Sequence, residues 1–324
     1  MKTRWLPLLL ASLGTLALLR IAIPPMTVHE TPPISSADCR SCHPDVWEEW
    51  QSSHHAFAFK NPEVRRLSQN FLNEECLACH APRGVLSFAP GERVLARESD
   101  RGLGVDCLAC HAHPKGGVAT TNLRPDPRAA CAPRTEIRTA AVETCGSCHN
   151  QHGTVDQWRE APLELKQESC LSCHMASTFR LHGRKGKNHT FPAAHSLESL
   201  KSAVTLALIR ETKLGQTGRV IVSLTNSGCG HHFPTDERSR AADLQWRVKT
   251  HQEWNAWQHL YRFRDPYRDE ADLENTQLPA GDTWQETLEF PAEAVGFEVR
   301  LLYRTNPFQS DEEAVEVVRQ ELAF

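Results

Sequence analysis

The sequence predicts a mainly α-helical, irregular region followed by an all-β, sandwich-like domain. Up to about residue 200, cysteines are concentrated, Pro and Gly are frequent and apolar periodicity is weak. Beyond residue 200, short apolar segments alternate with polar residues in the two-residue period typical of strands. A net charge of −4 and an isoelectric point near 6.5 exclude the basic surface expected of a nucleic-acid-binding protein.

The first 25 residues have the pattern of an export segment. Lys2 and Arg4 precede an apolar run, which a pair of prolines ends. The run Trp5–Ile23 has 19 residues, just enough to span a bilayer if Arg20 reaches the far interface. The lack of a small-x-small cleavage site favours an uncleaved membrane anchor over a cleaved signal peptide. Under both alternatives the rest of the chain is exported, and we expect it in the periplasm.

Ten of the twelve cysteines form five C-x-x-C pairs, and His directly follows each pair. The five motifs are Cys39-Arg-Ser-Cys42-His43, Cys76-Leu-Ala-Cys79-His80, Cys107-Leu-Ala-Cys110-His111, Cys145-Gly-Ser-Cys148-His149 and Cys170-Leu-Ser-Cys173-His174. This is the attachment pattern of haem c, in which the two thiols form thioethers to the haem and the following imidazole binds the iron. The pattern predicts five covalently bound haem c groups.

Zinc sites, redox-active pairs and disulfides are the alternative interpretations of C-x-x-C pairs. None of them requires His directly after every pair. Since His accounts for 17 of 324 residues, five such coincidences have odds of about 4 × 10⁻⁷. Cys131 and Cys229 lie outside the motifs, and in an oxidising compartment they could form a disulfide or remain two unrelated thiols.

Histidine is the expected second axial ligand of the irons. Met1 and Met26 belong to the export segment, and Met175 directly follows a motif histidine. Without Met ligation, low-potential centres with two His ligands are expected. Nine histidines between residues 39 and 240 lie outside the motifs, and all are candidates: His54, His55, His113, His152, His182, His189, His195, His231 and His232.

We expect residues 26–38 to form a linker and residues 39–200 a pentahaem domain in which the haems supply much of the core. Short helices, such as Pro44–Trp50 and Pro62–Asn70, would join the haem sites. Residues 201–324 predict six or seven short strands in a β-sandwich. The six clearest segments are Val204–Leu208, Val220–Leu224, Leu244–Val248, Leu260–Phe263, Trp284–Phe290 and Val299–Tyr303.

Several segments around the motifs resemble the multihaem cytochrome c-554/c-prime family. They are Trp50-x-x-Ser53-x-His55-Ala56, Ala81-Pro82 after the second motif, Gly104-Val105-Asp106 before the third, Met175 after the fifth, and Asn188-His189-Thr190-Phe191-Pro192. The resemblance covers roughly residues 39–200 and implies a periplasmic electron-transfer protein with closely stacked haem pairs. The family has four haems, whereas this chain has five motifs.

The resemblance also implies second ligands for the irons. By position it favours His55 over His54, and it favours His189 and His195. The segment Gly228-Cys-Gly-His231-His-Phe-Pro-Thr235 is similar to a motif appended to multihaem cytochromes of this group, so we expect His231 to reach back to a haem. His152 completes the expected set.

The sequence favours electron relay between redox partner proteins, or to a membrane electron-transfer complex. The alternative is an oxidoreductase in which one open haem acts on a small nitrogen or sulfur compound. No C-x-x-C-Lys motif is present and all three tyrosines lie in the strand region. We therefore assign no catalytic residue. The β domain could instead serve as a docking module.

Overall fold

The computed structural model describes residues 35–166, 169–180, 183–211, 217–235, 238–251 and 253–324. Ser35–Phe324 form one compact unit. The predicted export segment lies outside the described residues. In the part of the chain that the structure describes, no helix is both long and apolar enough to cross a membrane.

The region with the cysteine motifs consists of short helices joined by turns. The α-helices are α1 (Pro44–Gln51), α2 (His54–Phe57), α3 (Pro62–Leu67), α4 (Leu77–His80), α5 (Cys107–His111), α6 (Val142–His149), α7 (Thr154–Glu160), α8 (Leu163–Lys166), α9 (Cys170–His174) and α10 (Leu197–Ala203). Turns of 3₁₀ helix cover Ser36–Ser41, Glu74–Cys76, Val85–Ser87, Arg101–Leu103 and Ile137–Ala140. Proline at the first position favours the start of α1 and α3.

Helix α3 ends earlier than the sequence predicted. It stops at Leu67 because Gln69, Asn70 and Phe71 all have positive φ angles, which a right-handed helix cannot contain. Four short strands in this region were not predicted. The parallel pair is β1 (Ala119–Thr120) with β2 (Arg134–Thr135), and the hairpin is β3 (Ser177–Phe179) with β4 (Lys185–Lys187).

The strand region contains two antiparallel sheets among its described residues. Its strands are β5 (Thr205–Arg210), β6 (Gly218–Thr225), β7 (Ala241–Thr250), β8 (Glu253–Trp254), β9 (Gln258–Arg264), β10 (Thr283–Phe290), β11 (Ala294–Arg304) and β12 (Val315–Ala323). One sheet has the order β10-β6-β5, and the other has the order β12-β11-β7-β8 with β9 also paired to β7. All six predicted segments form strands. Strand β8, which has two residues, and strand β12 were not predicted.

The two sheets enclose one apolar core, as predicted for a sandwich. Val220, Val222 and Leu224 alternate along β6 and are fully buried, and they belong to the same cluster as Leu244 and Phe297 of the other sheet. Burial of each such side chain stabilises the fold by about 1.5–3 kcal/mol. The motif region has a much smaller apolar cluster, which consists of Ala78, Val85, Leu86, Val94 and Ala119.

A buried ion network holds the neighbouring strands β9, β7 and β11 together. The carboxylate of Asp243 is 1% exposed and lies 2.6 Å from Nε of both Arg262 and Arg304. Burial alone would raise the pKa of Asp243, but hydrogen bonds from the two guanidinium groups outweigh it and hold the pKa below its ordinary value.

The strand region contacts the motif region directly. Gln157 on α7 accepts hydrogen bonds from the Thr235 hydroxyl at 2.6 Å and from the backbone N–H of His232 at 3.2 Å. Asn306 donates to Glu63 on α3 at 3.1 Å. Helix α10 spans the predicted boundary at residue 200 and packs Leu200 into the sandwich core. These contacts fix the segment that carries His231 against the cysteine motifs.

Candidate haem-binding sites

A helical turn brings the three functional groups of each motif onto one face. Three motifs lie on α5, α6 and α9. The second spans the end of the 3₁₀ turn Glu74–Cys76 and α4, and the first occupies the 3₁₀ turn Ser36–Ser41 and the two residues that follow it. Residues three and four positions apart share a face of a helix, which places both thiols beside the histidine. All twelve cysteines are thiols rather than disulfides. Two thiols and an imidazole on one face fit the donor set for haem c.

Backbone carbonyls fix the protonation of the motif histidines. Nδ1 of His80 lies 3.0 Å from the Ala58 carbonyl, that of His111 lies 3.0 Å from the Ala119 carbonyl, and that of His174 lies 2.8 Å from the Pro192 carbonyl. Because a carbonyl only accepts, each Nδ1 carries the proton and Nε2 keeps its lone pair. This is the arrangement found in metal-bound histidines.

Three motif histidines face a histidine from a distant part of the chain. The ring centroids are 6.1 Å apart for His149 and His55, 6.4 Å for His111 and His189, and 6.3 Å for His174 and His231. Two imidazoles bound to opposite sides of one metal ion, through bonds of about 2 Å, have centroids about 6 Å apart. The three pairs therefore have the spacing of ligands on opposite sides of an iron.

In two of these pairs, the second histidine also carries its proton on Nδ1. Nδ1 of His189 donates to the Lys187 carbonyl at 2.8 Å, and Nδ1 of His231 donates to the His232 carbonyl at 2.9 Å. Burial lowers the pKa of His189 to about 4, so its imidazole is neutral at pH 7. A neutral imidazole whose Nε2 keeps its lone pair is the form that binds a metal.

A second set of contacts holds His55 in place. The Trp50 indole donates to the Val105 carbonyl at 2.7 Å, and the Val105 N–H donates to the His55 carbonyl at 2.8 Å. Ser53 caps α2 through the Ala56 N–H. These contacts attach the segment of Trp50, Ser53 and His55 to the segment that precedes Cys107.

That segment contributes Gly104 and Asp106. Gly104 has φ +64°, and a Cβ atom there would lie 2.3 Å from the His55 carbonyl oxygen, so only Gly allows the two segments to approach. Asp106 caps α5 by accepting from the Ala109 N–H at 3.0 Å, and it pairs with Arg97 at 2.9 Å. The capped helix begins at Cys107.

The other predicted iron ligands do not belong to these three histidine pairs. His43 is exposed and precedes α1. The ring of His80 lies 6.1 Å from that of Phe71 between centroids. His195 stacks on His54 with 3.5 Å between centroids, which leaves no room for an iron between the two rings. His152 lies in the turn between α6 and α7, and His182 is outside the described residues.

Cysteines of different motifs contact each other. The Cys39 thiol hydrogen-bonds with that of Cys107, and the Cys145 thiol with that of Cys170. These bonds lower the pKa of Cys39 and of Cys170 to about 7, because each favours the thiolate that accepts it. The first motif is thus adjacent to the third, and the fourth to the fifth.

Cys131 and Cys229 are not joined by a disulfide. Cys229 lies near Cys173 of the fifth motif, and burial raises the pKa of its thiol to about 12. The zinc alternative gains no support among the described residues, where no group of three or more His, Cys, Asp or Glu side chains could hold a metal ion.

Comparison with known proteins identifies the first part of this region. Residues 38–112, which include the first three motifs and the Trp50–His55 segment, match the sequence profile of the family "Cytochrome c554 and c-prime". Residues 38–112 are cytochrome c-554-like. This confirms the family that the motifs predicted. No curated protein matches the sequence significantly.

The fold of the chain is similar to that of a solved multihaem cytochrome. The match is a penta-haem cytochrome c552 from Thermochromatium tepidum, with a TM-score of 0.71, 17% sequence identity, and coverage of 90% of this chain and 99% of that one. Neither the motif region nor the strand region alone makes up 90% of the chain. The shared fold therefore includes the strands as well as the cysteine motifs. The chain therefore shares its fold, including a β-rich C-terminal region, with a solved multihaem cytochrome.

Proposed function

We propose that the protein is an exported pentahaem cytochrome c that relays electrons between redox partners. The spacing of the three histidine pairs carries the proposal. In each pair one ring belongs to a C-x-x-C-His motif, and the other ring, from outside the motifs, lies at the distance expected of a second iron ligand. Haem bound at these residues would supply one-electron chemistry. The five attachment sites would be the five cysteine pairs, with His43, His80, His111, His149 and His174 as first ligands.

The short distances between the cysteine motifs support an electron relay. The thiol of Cys39 contacts that of Cys107, and the thiol of Cys145 contacts that of Cys170. Cys110 of the third motif is also within electrostatic range of Cys145. The first, third, fourth and fifth motifs thus form an unbroken series, and the chain itself keeps their attachment points close enough for electron transfer between neighbouring centres.

The export segment supports a location outside the cytoplasm. C-type haem attachment and an apolar run without a small-x-small cleavage site together favour a periplasmic protein held at the inner membrane by its N-terminal segment. Its partners would be redox proteins or a membrane electron-transfer complex. The net charge of −4 favours no nucleic-acid partner.

Low-temperature EPR of the fully oxidised protein tests the proposal, with the haem-to-protein ratio measured on the same sample. A carrier in which every iron has two strong ligands gives low-spin signals alone. A haem content below five contradicts the pentahaem assignment. Potentiometric titration then measures whether the midpoints overlap, as sequential transfer requires.

A second candidate function is a haem oxidoreductase with one open iron. The observation that favours it is the stacking of His54 on His195, because two rings 3.5 Å apart between centroids cannot bind opposite sides of one iron. A high-spin EPR signal from one haem in five would support this function, and small nitrogen and sulfur compounds would then be tested as ligands of that iron.

A further inference from the structure

The carbonyl of Lys187 accepts two hydrogen bonds. One comes from Nδ1 of His189, at 2.8 Å, and the other from Nη2 of Arg180. Arg180 follows strand β3 and Lys187 ends strand β4, so the hairpin itself brings the guanidinium onto this carbonyl. Gly186 leaves room for it, because a Cβ atom there would lie 3.2 Å from Nε of Arg180.

Glu49 on α1 completes the arrangement. Its two carboxylate oxygens accept from Arg180 at 2.5 and 2.7 Å, and one of them also accepts from the backbone N–H of His189 at 2.9 Å. The side chains of Arg180 and Glu49 are only 12% and 21% exposed. An ion pair this shielded is screened weakly by solvent, and removal of one partner leaves the other charge uncompensated.

We propose that Glu49 and Arg180 are a positioning pair for His189 that also sets the reduction potential of the iron held at the third motif. The inference rests on the proposed function, because it needs His189 as an iron ligand. The Arg180 guanidinium donates a hydrogen bond to the Lys187 carbonyl and withdraws electron density from its oxygen, which also accepts the hydrogen bond from Nδ1 of His189. The imidazole then donates less strongly through Nε2, and a weaker donor stabilises ferrous over ferric iron.

The two members of the pair have opposite electrostatic effects, and this makes the proposal testable. Glu49→Gln removes a negative charge and leaves Arg180 unopposed, so the midpoint of one haem in five rises. Arg180→Met removes the positive charge and frees the Lys187 carbonyl, so the same midpoint falls. In the double variant the midpoint lies closer to the parent value than in either single variant. A purely structural role would shift both single variants in the same direction.

The experiment is spectroelectrochemical titration of the holoprotein, with EPR of each oxidised variant. His189→Met identifies which midpoint belongs to this iron. Arg319→Met is the matched control, since Arg319 also forms ion pairs, with Glu298 and Glu316, but lies in the strand region on β12. The control leaves all five midpoints unchanged. Arg180→Gln also removes the charge but keeps a polar side chain, and it replaces Arg180→Met if the latter does not fold.

The outcomes separate this inference from the proposed function. Five haems with midpoints that do not move in Glu49→Gln and Arg180→Met, or that move in the same direction, overturn the positioning pair and leave the cytochrome assignment intact. Parent protein without five covalent haems overturns the proposed function itself.

Discussion

The imidazole of His174 lies nearly parallel to that of His231, with 13° between the ring planes and 6.3 Å between their centroids. His174 belongs to the fifth cysteine motif, and His231 belongs to the loop between strands β6 and β7. One iron between these rings would link the two regions of the chain. The β-sandwich would then contribute a ligand as well as a surface.

Replacement of His231 therefore has a spectroscopic consequence. We expect His231→Ala to convert one haem in five from low spin to high spin, because its iron loses the second imidazole. EPR of the oxidised protein measures this change. His232→Ala is the control, since His232 contacts Gln157 through its backbone N–H. A high-spin haem in His232→Ala and none in His231→Ala would show that the wrong histidine has been assigned.

Gly104 tests how His55 is held. In Gly104→Ala the new methyl group would meet the His55 carbonyl at 2.3 Å, so α2 must move away from the third motif. We expect a high-spin signal from the haem at the fourth motif. Gly91→Ala is the control, because Gly91 also has a positive φ, +78°, yet nothing lies within 4 Å of the added atom. Equal spectra for the two variants would contradict the role of Gly104 in holding His55.

Sequence alone revealed the groups that are close together along the chain. The C-x-x-C-His motif could be recognised because its three groups share one helical turn. The alternation of Val220, Val222 and Leu224 revealed a strand because side chains of a half-buried strand point alternately inward. Helix α3 was predicted too long, since Gln69 and Phe71 have positive φ angles that their residue types do not indicate.

The pairing of histidines depends on contacts between distant residues. Glu49 and Arg180, which hold the His189 segment, are 131 positions apart. The family resemblance indicated His55, His189 and His231 but not which motif each one faces. It also favoured His195, which the structure places against His54. Glu49 and Arg180 were missed because a single charged residue in a sequence is indistinguishable from a solvated one.

Asp243 controls the stability of the sandwich at low pH. Its folded-state pKa lies below the value of about 3.9 in an unfolded chain, so its stabilising effect is complete above that pH and is lost as the pH falls through the lower, folded-state pKa. Asp243→Asn leaves two arginines without their shared partner, and we expect a loss of about 3–5 kcal/mol in the free energy of unfolding at pH 7. Denaturant titration monitored by circular dichroism measures it.

The same titration below pH 4 provides a second check on Asp243. The free energy of unfolding falls less steeply with pH in Asp243→Asn than in the parent, because the titrating carboxyl is gone. Asp126→Asn is the control, since Asp126 is exposed and pairs only with its neighbour Arg128 among the described ion pairs, and its replacement leaves the free energy of unfolding essentially unchanged. Equal losses in the two variants would contradict the stabilising role of the buried network.

The cysteines outside the motifs predict a thiol count. Cys131 and Cys229 are free, whereas the other ten would be thioethers in the holoprotein. We expect alkylation of the denatured protein, without reductant, to label two thiols and no more. Peptide mapping identifies them. No labelling would indicate a disulfide between the two, and more than two labels would mean incomplete haem attachment.

Covalent attachment of five haems is the central claim, and the intact mass of the denatured protein tests it most directly. Thioether-bound haem stays on the chain when the fold is lost, whereas zinc or non-covalent haem is released. We expect the polypeptide mass plus five haems in protein exported by a host that matures cytochromes c. The mass of the bare polypeptide, or of a chain with fewer than five haems at full maturation, would contradict the claim.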